Sequence, residues 1–327
     1  MLAVEVVVPL RWDQPWSEQE SDAAAYRTYL SQLRELVDIT IVDGSPQEVL
    51  DEHVDAWGEY ARILRPVGQG INGKVLGAVT GIEVARHEFV MLADDDIRYD
   101  EASLQQVVAA LADADVVRPQ NVYSRWPWQA RWDFGRSLIG RAFGGDWPGT
   151  FGVRASEIRR MGGWSADVLF ENLQMVRTAR HFGLRVLDAP FIVVRREPPT
   201  VDRFWSQRVR QAYDDFAQPA RLAAELLLLP AVIYTVWRRP RLLLLEALAC
   251  VLVGEVGRRR HGPLPVPKTA ALWCPAWVAE RGVCVWLAVG SRLRGGVRYN
   301  GTRVRDAAVS VASAAPAVSS PPLGETS

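Results

Sequence analysis

Across roughly the first 120 residues, short β-branched runs alternate with longer helix-prone stretches, and this alternation restricts the fold more than any other feature. Residues 4–8, 38–42, 62–67 and 88–93 read as strands. Residues 18–37, 47–60 and 74–85 read as the helices between them, with Leu30, Leu33 and Leu36 on one side of the first. Serial strand–helix alternation predicts an α/β domain with a mostly parallel sheet covered by helices on both faces. In such sheets ligands bind beyond the carboxyl ends of the strands. Pro9, Leu10 and Arg11, then Asp43, then Asp94, Asp95 and Asp96 all fall at those ends, so the fold gathers them on one rim. The chain has 327 residues, enough for one such domain and an appendage.

The fourth run ends as Phe89-Val90-Met91-Leu92-Ala93-Asp94-Asp95-Asp96. Adjacent carboxylates raise one another's pKa unless a cation intervenes. Hard oxygen ligands select Mg²⁺ or Mn²⁺, which commonly also holds a substrate phosphate. Asp94 and Asp96, two apart in an extended segment, point the same way. Asp96 is expected on the metal and Asp94 on a ribose or a metal-bound water. The plain alternative is an acidic loop after a strand.

Upstream, Gly68-Gln69-Gly70-Ile71-Asn72-Gly73 has the G-x-G-x-x-G spacing of a dinucleotide turn. It follows the third strand rather than the first, and a ribose needs one carboxylate rather than three. Extended to Lys74 it also fits G-x-x-x-x-G-K, but Val75 stands where a P-loop has Ser or Thr. The turn and Lys74 then either approach a nucleotide or make a tight connection. Asp43 before Gly44-Ser45 either accepts from a nucleobase or closes an Asx-type turn. Glu171, at the start of a helix predicted over 173–182, either complements the macrodipole or takes a proton from an attacking hydroxyl. Over 200–217, helical spacing puts Trp205, Val209, Ala212 and Phe216 on one seam and Arg203, Gln207, Arg210 and Asp214 on the opposite stripe. Gln207 and Arg210 either reach a diphosphate or acceptor, or form a solvated face.

Net charge is zero, which leaves no nucleic-acid footprint. Cys250, Cys274 and Cys284 are too few for a disulfide framework, as in a cytosolic protein, and the four histidines lack zinc spacing. Residues 1–10 read as a first strand, not a signal peptide. Trp126, Trp128, Trp132, Trp147 and Trp164 lie among clustered glycines and either line a cleft or fill an irregular core. Beyond Pro219, the apolar runs 222–237 and 242–256 are separated by Arg238-Arg239-Pro240-Arg241 and closed by Arg258, Arg259 and Arg260. Each is short for a perpendicular span, and Glu225, Glu246 and Glu255 interrupt them. A hairpin lying in the cytoplasmic leaflet keeps both basic clusters at anionic head groups. A soluble helical subdomain is the alternative. Trp273, Trp277 and Trp286 punctuate a further apolar segment.

The order of these motifs over residues 4–218 resembles family 2 glycosyltransferases, inverting enzymes of the GT-A, Rossmann-like fold. The resemblance rests on Pro9, Val42-Asp43-Gly44-Ser45, Asn72-Gly73-Lys74, Asp94-Asp95-Asp96 as D-x-D, Gly162-Gly163-Trp164 before Glu171, and Gln207-Arg208-Val209-Arg210 as Q-x-x-R. Membrane-associated members that glycosylate lipids, of ceramide and carotenoid type, share such apolar carboxyl-terminal segments. The resemblance implies a UDP- or GDP-sugar donor bound by Pro9, Arg11, Asp43, Lys74, Asp94, Asp95, Gln207 and Arg210. It implies Mn²⁺ or Mg²⁺ at Asp94 and Asp96, and a lipid-like acceptor at the cytoplasmic face of the cell membrane. Asn172 replaces the family's usual base, leaving Glu171 or Asp167. Gln211 replaces the tryptophan that commonly follows Q-x-x-R, so acceptor stacking passes to Trp205 or an upstream tryptophan. The expected organisation is a catalytic domain over 1–218, an apolar hairpin over 219–262, an interfacial segment over 263–306 and a disordered tail over 307–327. Two other functions compete: a nicotinamide-dependent oxidoreductase using the 68–73 turn, and a GT-A-like binding protein that has lost catalysis.

Overall fold

The computed structural model describes residues 1–14, 20–146, 148–299 and 302–309. Glu18 and Gln19 of the first expected helix, Trp147, and residues 310–327 of the expected tail lie outside them. The amino-terminal elements are β1 (Val4–Leu10), α1 (Glu20–Leu33), β2 (Asp38–Asp43), α2 (Gln47–Trp57), β3 (Arg62–Leu64), α3 (Gly73–Glu83) and β4 (Phe89–Leu92). They are followed by β5 (Ile97–Arg98), α4 (Glu101–Leu111), β6 (Val116–Tyr123), α5 (Trp128–Ala142), β7 (Phe151–Arg154), α6 (Ala155–Arg160), α7 (Glu171–His181), β8 (Val186–Arg196) and α8 (Val201–Tyr213). The strands form one sheet in the order β3-β2-β1-β4-β7-β6-β8-β5. β3, β2, β1 and β4 are all parallel, as is β6 to β8; the reversals are at β7 and β5.

Alternating residues of β1 serve two cores. Val6 and Val8 pack with Ile41, Trp57 and Leu104 on one face, and Val7 packs with Val79, Val90 and Val153 on the other. The one charge inside β1, Glu5, is paired with Arg62 at 2.9 Å and accepts the Arg86 backbone N–H at 2.6 Å. A buried carboxylate persists only when satisfied in this way. β3 stops three residues short of its expected end because Pro66 has no N–H to continue the ladder. α3 lies unusually close to the sheet: a Cβ at Gly81 would come within 2.2 Å of a Val7 methyl. Its start is capped by Asn72, whose side chain accepts the Lys74 N–H at 3.1 Å. Close packing and the cap together aim Lys74 at the strand ends.

Of the tryptophans over 121–199 within the described residues, Trp164 is buried in a core. Trp128 and Trp132 cluster edge-on with Phe204 where α5 meets α8. Trp128 stays partly exposed, and none of the described tryptophans of this stretch lines the large cavity beyond the ends of β1 and β4.

The carboxyl-terminal part begins with a 3₁₀ turn (Asp214–Ala217), then α9 (Pro219–Arg238), α10 (Leu242–Arg259), a second 3₁₀ turn (Ala270–Trp273) and α11 (Cys274–Leu293). α9 and the Ala270–Leu293 segment are long and apolar enough to cross a membrane, by length and composition alone. Buried arginines fasten these helices to the domain. Arg141 of α5 donates to the carbonyls of Gly257 at 3.1 Å and Pro190 at 3.0 Å. Arg281 of α11 meets Asp215 at 3.1 Å and Glu225 of α9 at 3.7 Å. Arg208 of α8 pairs with Asp133 of α5 and, at 3.5 Å, with Glu280 of α11.

A hairpin of β9 (Val297–Tyr299) and β10 (Thr302–Val304) then folds back onto the domain. The carbonyls of Asp306 and Ala307 accept the N–H groups of Leu169 and Phe170 at 3.1 and 2.8 Å. Residues 307–309, expected in the tail, pack here: Ala307 is buried and the Val309 N–H donates to Gln174 at 3.2 Å.

Candidate active site

Beyond the ends of β1 and β4 lies a cavity of about 760 Å³. Of the expected donor-binding residues, Pro9, Arg11, Lys74, Asp94, Asp95, Gln207 and Arg210 line it, and so does Glu171. It also reaches Gln218 and Arg221, at the start of α9, and Arg281, midway along α11. One continuous space therefore joins the strand-end carboxylates to the apolar helices.

Lys74 organises the near end. Its Nζ lies 2.6 Å from Asp94 Oδ1 and 3.0 Å from Glu171 Oε1. Burial opposes the lysine's charge, but the two carboxylates outweigh it and push its pKa up. Burial alone would likewise raise Asp94; Lys74 and Arg196 outweigh that and hold its carboxyl below the usual range. Space for Asp94 is made by Gly149, where a Cβ would sit 2.3 Å from Asp94 Oδ2.

The three consecutive aspartates go three ways. Asp94 turns to Lys74. Asp95 Oδ2 accepts from the Trp12 indole N–H at 3.0 Å, and Arg203 approaches its other oxygen at 3.8 Å. Asp96 Oδ2 is held by Arg196 at 2.8 Å, while its Oδ1 is buried with no protein partner among the described residues. Burial raises the Asp96 pKa; Arg196 opposes this, while Asp94 and Asp95 reinforce it. Asp96 does not line the cavity wall, unlike its two neighbours.

Asp43 departs from expectation. Its Oδ1 accepts the Ser45 N–H at 2.8 Å, and its Oδ2 is 2.6 Å from Nδ1 of His53, which α2 lays over it. The side chain is fully buried and both oxygens are engaged, so a direct nucleobase contact is closed off in this arrangement. The Asx-turn alternative describes it. Gly44, next in sequence, does line the cavity.

Asp167 is exposed and accepts the Ile71 N–H at 3.3 Å, outside the cavity lining. Glu171 is therefore the one of the two base candidates that faces the cavity. On α8 the polar stripe is as expected, with Arg203, Gln207, Arg210 and Asp214 all on the cavity wall. On the opposite seam, Val209, Ala212 and Phe216 pack into a core as expected, and only Trp205 falls outside it. Phe204, Arg208 and Ala212 are buried, whereas Trp205 is half exposed against Trp128 and Trp132 and does not line the cavity. Acceptor stacking on Trp205 is thus not what the wall offers.

Cavity residues without an assigned role in the sequence reading include Arg136, Arg196 and Tyr299. Arg210 lies over the Tyr299 ring at 5.1 Å, and the tyrosine hydroxyl is 3.3 Å from Asn72 Oδ1. Only the return of the distal hairpin brings Tyr299 there. Asp214 has a pKa pushed up to about 7, chiefly by burial, with Glu171 adding to the rise and Arg210 opposing it. Its position one helical turn past Arg210 was the available signal.

The dinucleotide-turn reading fails on placement. The 68–73 turn follows β3, which is the sheet's edge strand rather than its centre. The N–H groups of Ile71 and Asn72 are taken by Asp167 and the Ala166 carbonyl, leaving neither to cradle a pyrophosphate.

Residues 56–123 match the family model described as glycosyl transferase family 21, a span that includes the turn, Lys74 and the three aspartates. Over that span, which lies within the sheet domain, the chain is similar to glycosyl transferase family 21. Among solved structures, it is similar to the mannosyltransferase PcManGT from Pyrobaculum calidifontis, solved with GDP-Man and Mn²⁺, at 18% identity and a TM-score of 0.44 over 87% of each chain. It is also similar to glucosyl-3-phosphoglycerate synthase from Mycobacterium tuberculosis, solved with Mn²⁺, UDP and glucosyl-3-phosphoglycerate. That likeness has 14% identity and a TM-score of 0.40, over 61% of this chain and 73% of the other. Among curated proteins, none matches the chain.

Proposed function

We propose that the protein is an inverting transferase that moves a sugar from a UDP- or GDP-sugar to a hydroxyl of a lipid-like acceptor at the cytoplasmic face of a membrane. One observation carries this reading: the same cavity is lined by Lys74 and Asp94, by Arg221 at the start of α9 and by Arg281 midway along α11, helices whose outer faces are apolar. On those faces Leu227, Trp237, Leu244, Leu252, Leu287 and Leu293 are all more than half exposed. Leaving so many large apolar side chains exposed on three neighbouring helices is unusual in a freely soluble monomer. Arg238, Arg239 and Arg241 at one end and Arg258, Arg259 and Arg260 at the other suit anionic head groups. In this reading the helices rest in the leaflet and hold the donor site over it.

The residues fit a divalent ion. Asp96 Oδ1 is a buried oxygen with no protein partner among the described residues, and Asp94 stands on the cavity wall in the space Gly149 leaves. Mg²⁺ and Mn²⁺ need only one or two carboxylates when substrate phosphates complete the shell. Asp94 and Asp96 would hold Mn²⁺ or Mg²⁺, which supplies Lewis-acid stabilisation of the leaving diphosphate. Lys74 and Arg210 place fixed positive charge where that negative charge develops. Glu171 and Asp94 together keep the Lys74 ammonium in position. Pro9, Arg11 and Gly44 border the side where the nucleoside would lie, and Gln207 reaches the sugar or acceptor.

The test is to incubate membranes containing the protein with labelled nucleotide sugars and to count label in an organic-solvent extract. Metal-dependent label in that extract is expected. Its absence with every donor, alongside transfer to a water-soluble acceptor, would remove the lipid part. Absence of any transfer alongside tight donor binding would favour the non-catalytic alternative.

A further inference from the structure

Asp214 begins the 3₁₀ turn that follows α8, one helical turn beyond Arg210 and two beyond Gln207, and so shares their face. It lines the cavity, yet its Oδ1 is buried and has no hydrogen-bond partner among the described residues. A buried carboxylate oxygen without a hydrogen-bond partner costs free energy, which Arg210, Arg281 and Arg136 offset only in part. Such a group marks a place where a ligand supplies the missing partner.

Glu171, the other carboxylate of the inner wall, stands differently. Its Oε1 is already engaged by the Lys74 ammonium at 3.0 Å, and the same lysine binds Asp94. Asp215, Gln218 and Arg221, which follow Asp214 in sequence, line the same cavity. The charged groups facing it come from four helices: Arg210 of α8, Glu171 of α7, Arg281 of α11 and Arg136 of α5.

We infer that Asp214 accepts the proton of the acceptor hydroxyl during transfer, with Arg210 orienting it and Glu171 serving instead to hold Lys74. The inference rests on the glycosyltransferase reading above. The acceptor oxygen forms a bond to the anomeric carbon. The bond from that carbon to the diphosphate breaks, and its electron pair leaves with the nucleoside diphosphate. The hydroxyl proton passes to the Asp214 carboxylate and from there to water. Burial, reinforced by Glu171 and opposed by the three arginines, pushes the carboxyl up to about 7, which matches a base working near neutrality.

The experiment compares wild type, Asp214→Asn, Asp214→Glu and Glu171→Gln as full chains in membranes. It measures transfer across a pH range of about 5 to 9 and, separately, Mn²⁺-dependent binding of the nucleotide sugar. Asp214→Asn is expected to lower kcat by about 10²- to 10⁴-fold with donor affinity unchanged, and to abolish the acidic limb of the profile. Asp214→Glu restores part of the rate with a displaced limb. Glu171→Gln weakens donor binding and keeps the limb. Full kcat and an intact limb in Asp214→Asn, with active wild type, overturn the inference alone. Loss of donor binding in Asp214→Asn without rescue by Asp214→Glu makes the residue structural and also overturns it. A wild type that transfers from no donor sinks the glycosyltransferase reading and this inference together.

Discussion

At the end of the cavity bounded by β1, β4 and α3, backbone register sets the ionic groups. Asp94 leaves the end of a strand, Lys74 sits at a capped helix start, and their 2.6 Å contact follows from how closely α3 lies on the sheet. At the end bounded by α8, α9 and α11, long side chains reaching between helices set them. Arg221 and Arg281 converge on Asp215 and Glu225, with separations from 2.9 to 3.7 Å. The first arrangement presents charge to a ligand. The second spends its charges on one another and anchors helices whose outer faces are apolar. In the proposed function a polar donor site and the anchor of an apolar surface share this cavity, and substitutions at its two ends should have different consequences.

The largest effect is expected at the anchoring end. Arg281→Met removes a buried cation from two carboxylates, which should cost about 3–5 kcal/mol. Chemical denaturation in detergent should show it, while any protein that stays folded keeps its donor affinity. A small loss would mean that the cluster does not anchor α11. Next comes the donor end: Lys74→Met should lower kcat by about 10²- to 10³-fold. The stability loss should be smaller than for Arg281→Met, because Lys74 and its two carboxylates are partly exposed; an equal stability loss in both variants would erase the contrast between the ends.

The apolar faces come third. A half-exposed leucine that becomes buried in lipid contributes roughly 1.5–3 kcal/mol. Leu244→Asp with Leu252→Asp should therefore weaken partitioning onto anionic vesicles by roughly 10²-fold or more, read by co-sedimentation. Unchanged partitioning would return these helices to a soluble subdomain.

The smallest effect is one of pH. Asp214 has a folded pKa raised to about 7 from an ordinary 3.8, so the folded state holds its proton more tightly than the unfolded chain. That contribution to stability is complete below pH 3.8 and is lost as pH rises through about 7. Asp214→Asn, which cannot ionise, should accordingly melt higher than wild type at about pH 8 and show little advantage at about pH 4. An advantage of equal size at both values would mean that the carboxyl is not buried as described.

Much of this was readable from residue order. The three aspartates were marked by an apolar strand that stops at acid, and the stripe of Gln207, Arg210 and Asp214 by helical spacing. Phase was less secure: one residue separates Trp205 from Phe204, and only the packing of α8 on α5 decides which ring is buried. Asp43 was readable as a turn former, but its closure by His53 depends on how α2 returns across β2. Arg196 reaches Asp96 from 100 positions away, and Tyr299 reaches Asn72 from 227 positions away. No local pattern encodes either meeting.

Residue order by itself determined the strand–helix alternation, the carboxylate-ended strand and the apolar character of the late helices, because each follows from neighbours within a turn or two. The tertiary structure decided which aspartate faces Lys74, which is held by Arg196, and that Asp214 keeps a buried oxygen without a protein partner among the described residues. Those outcomes depend on charges that burial makes expensive and that only distant segments can satisfy.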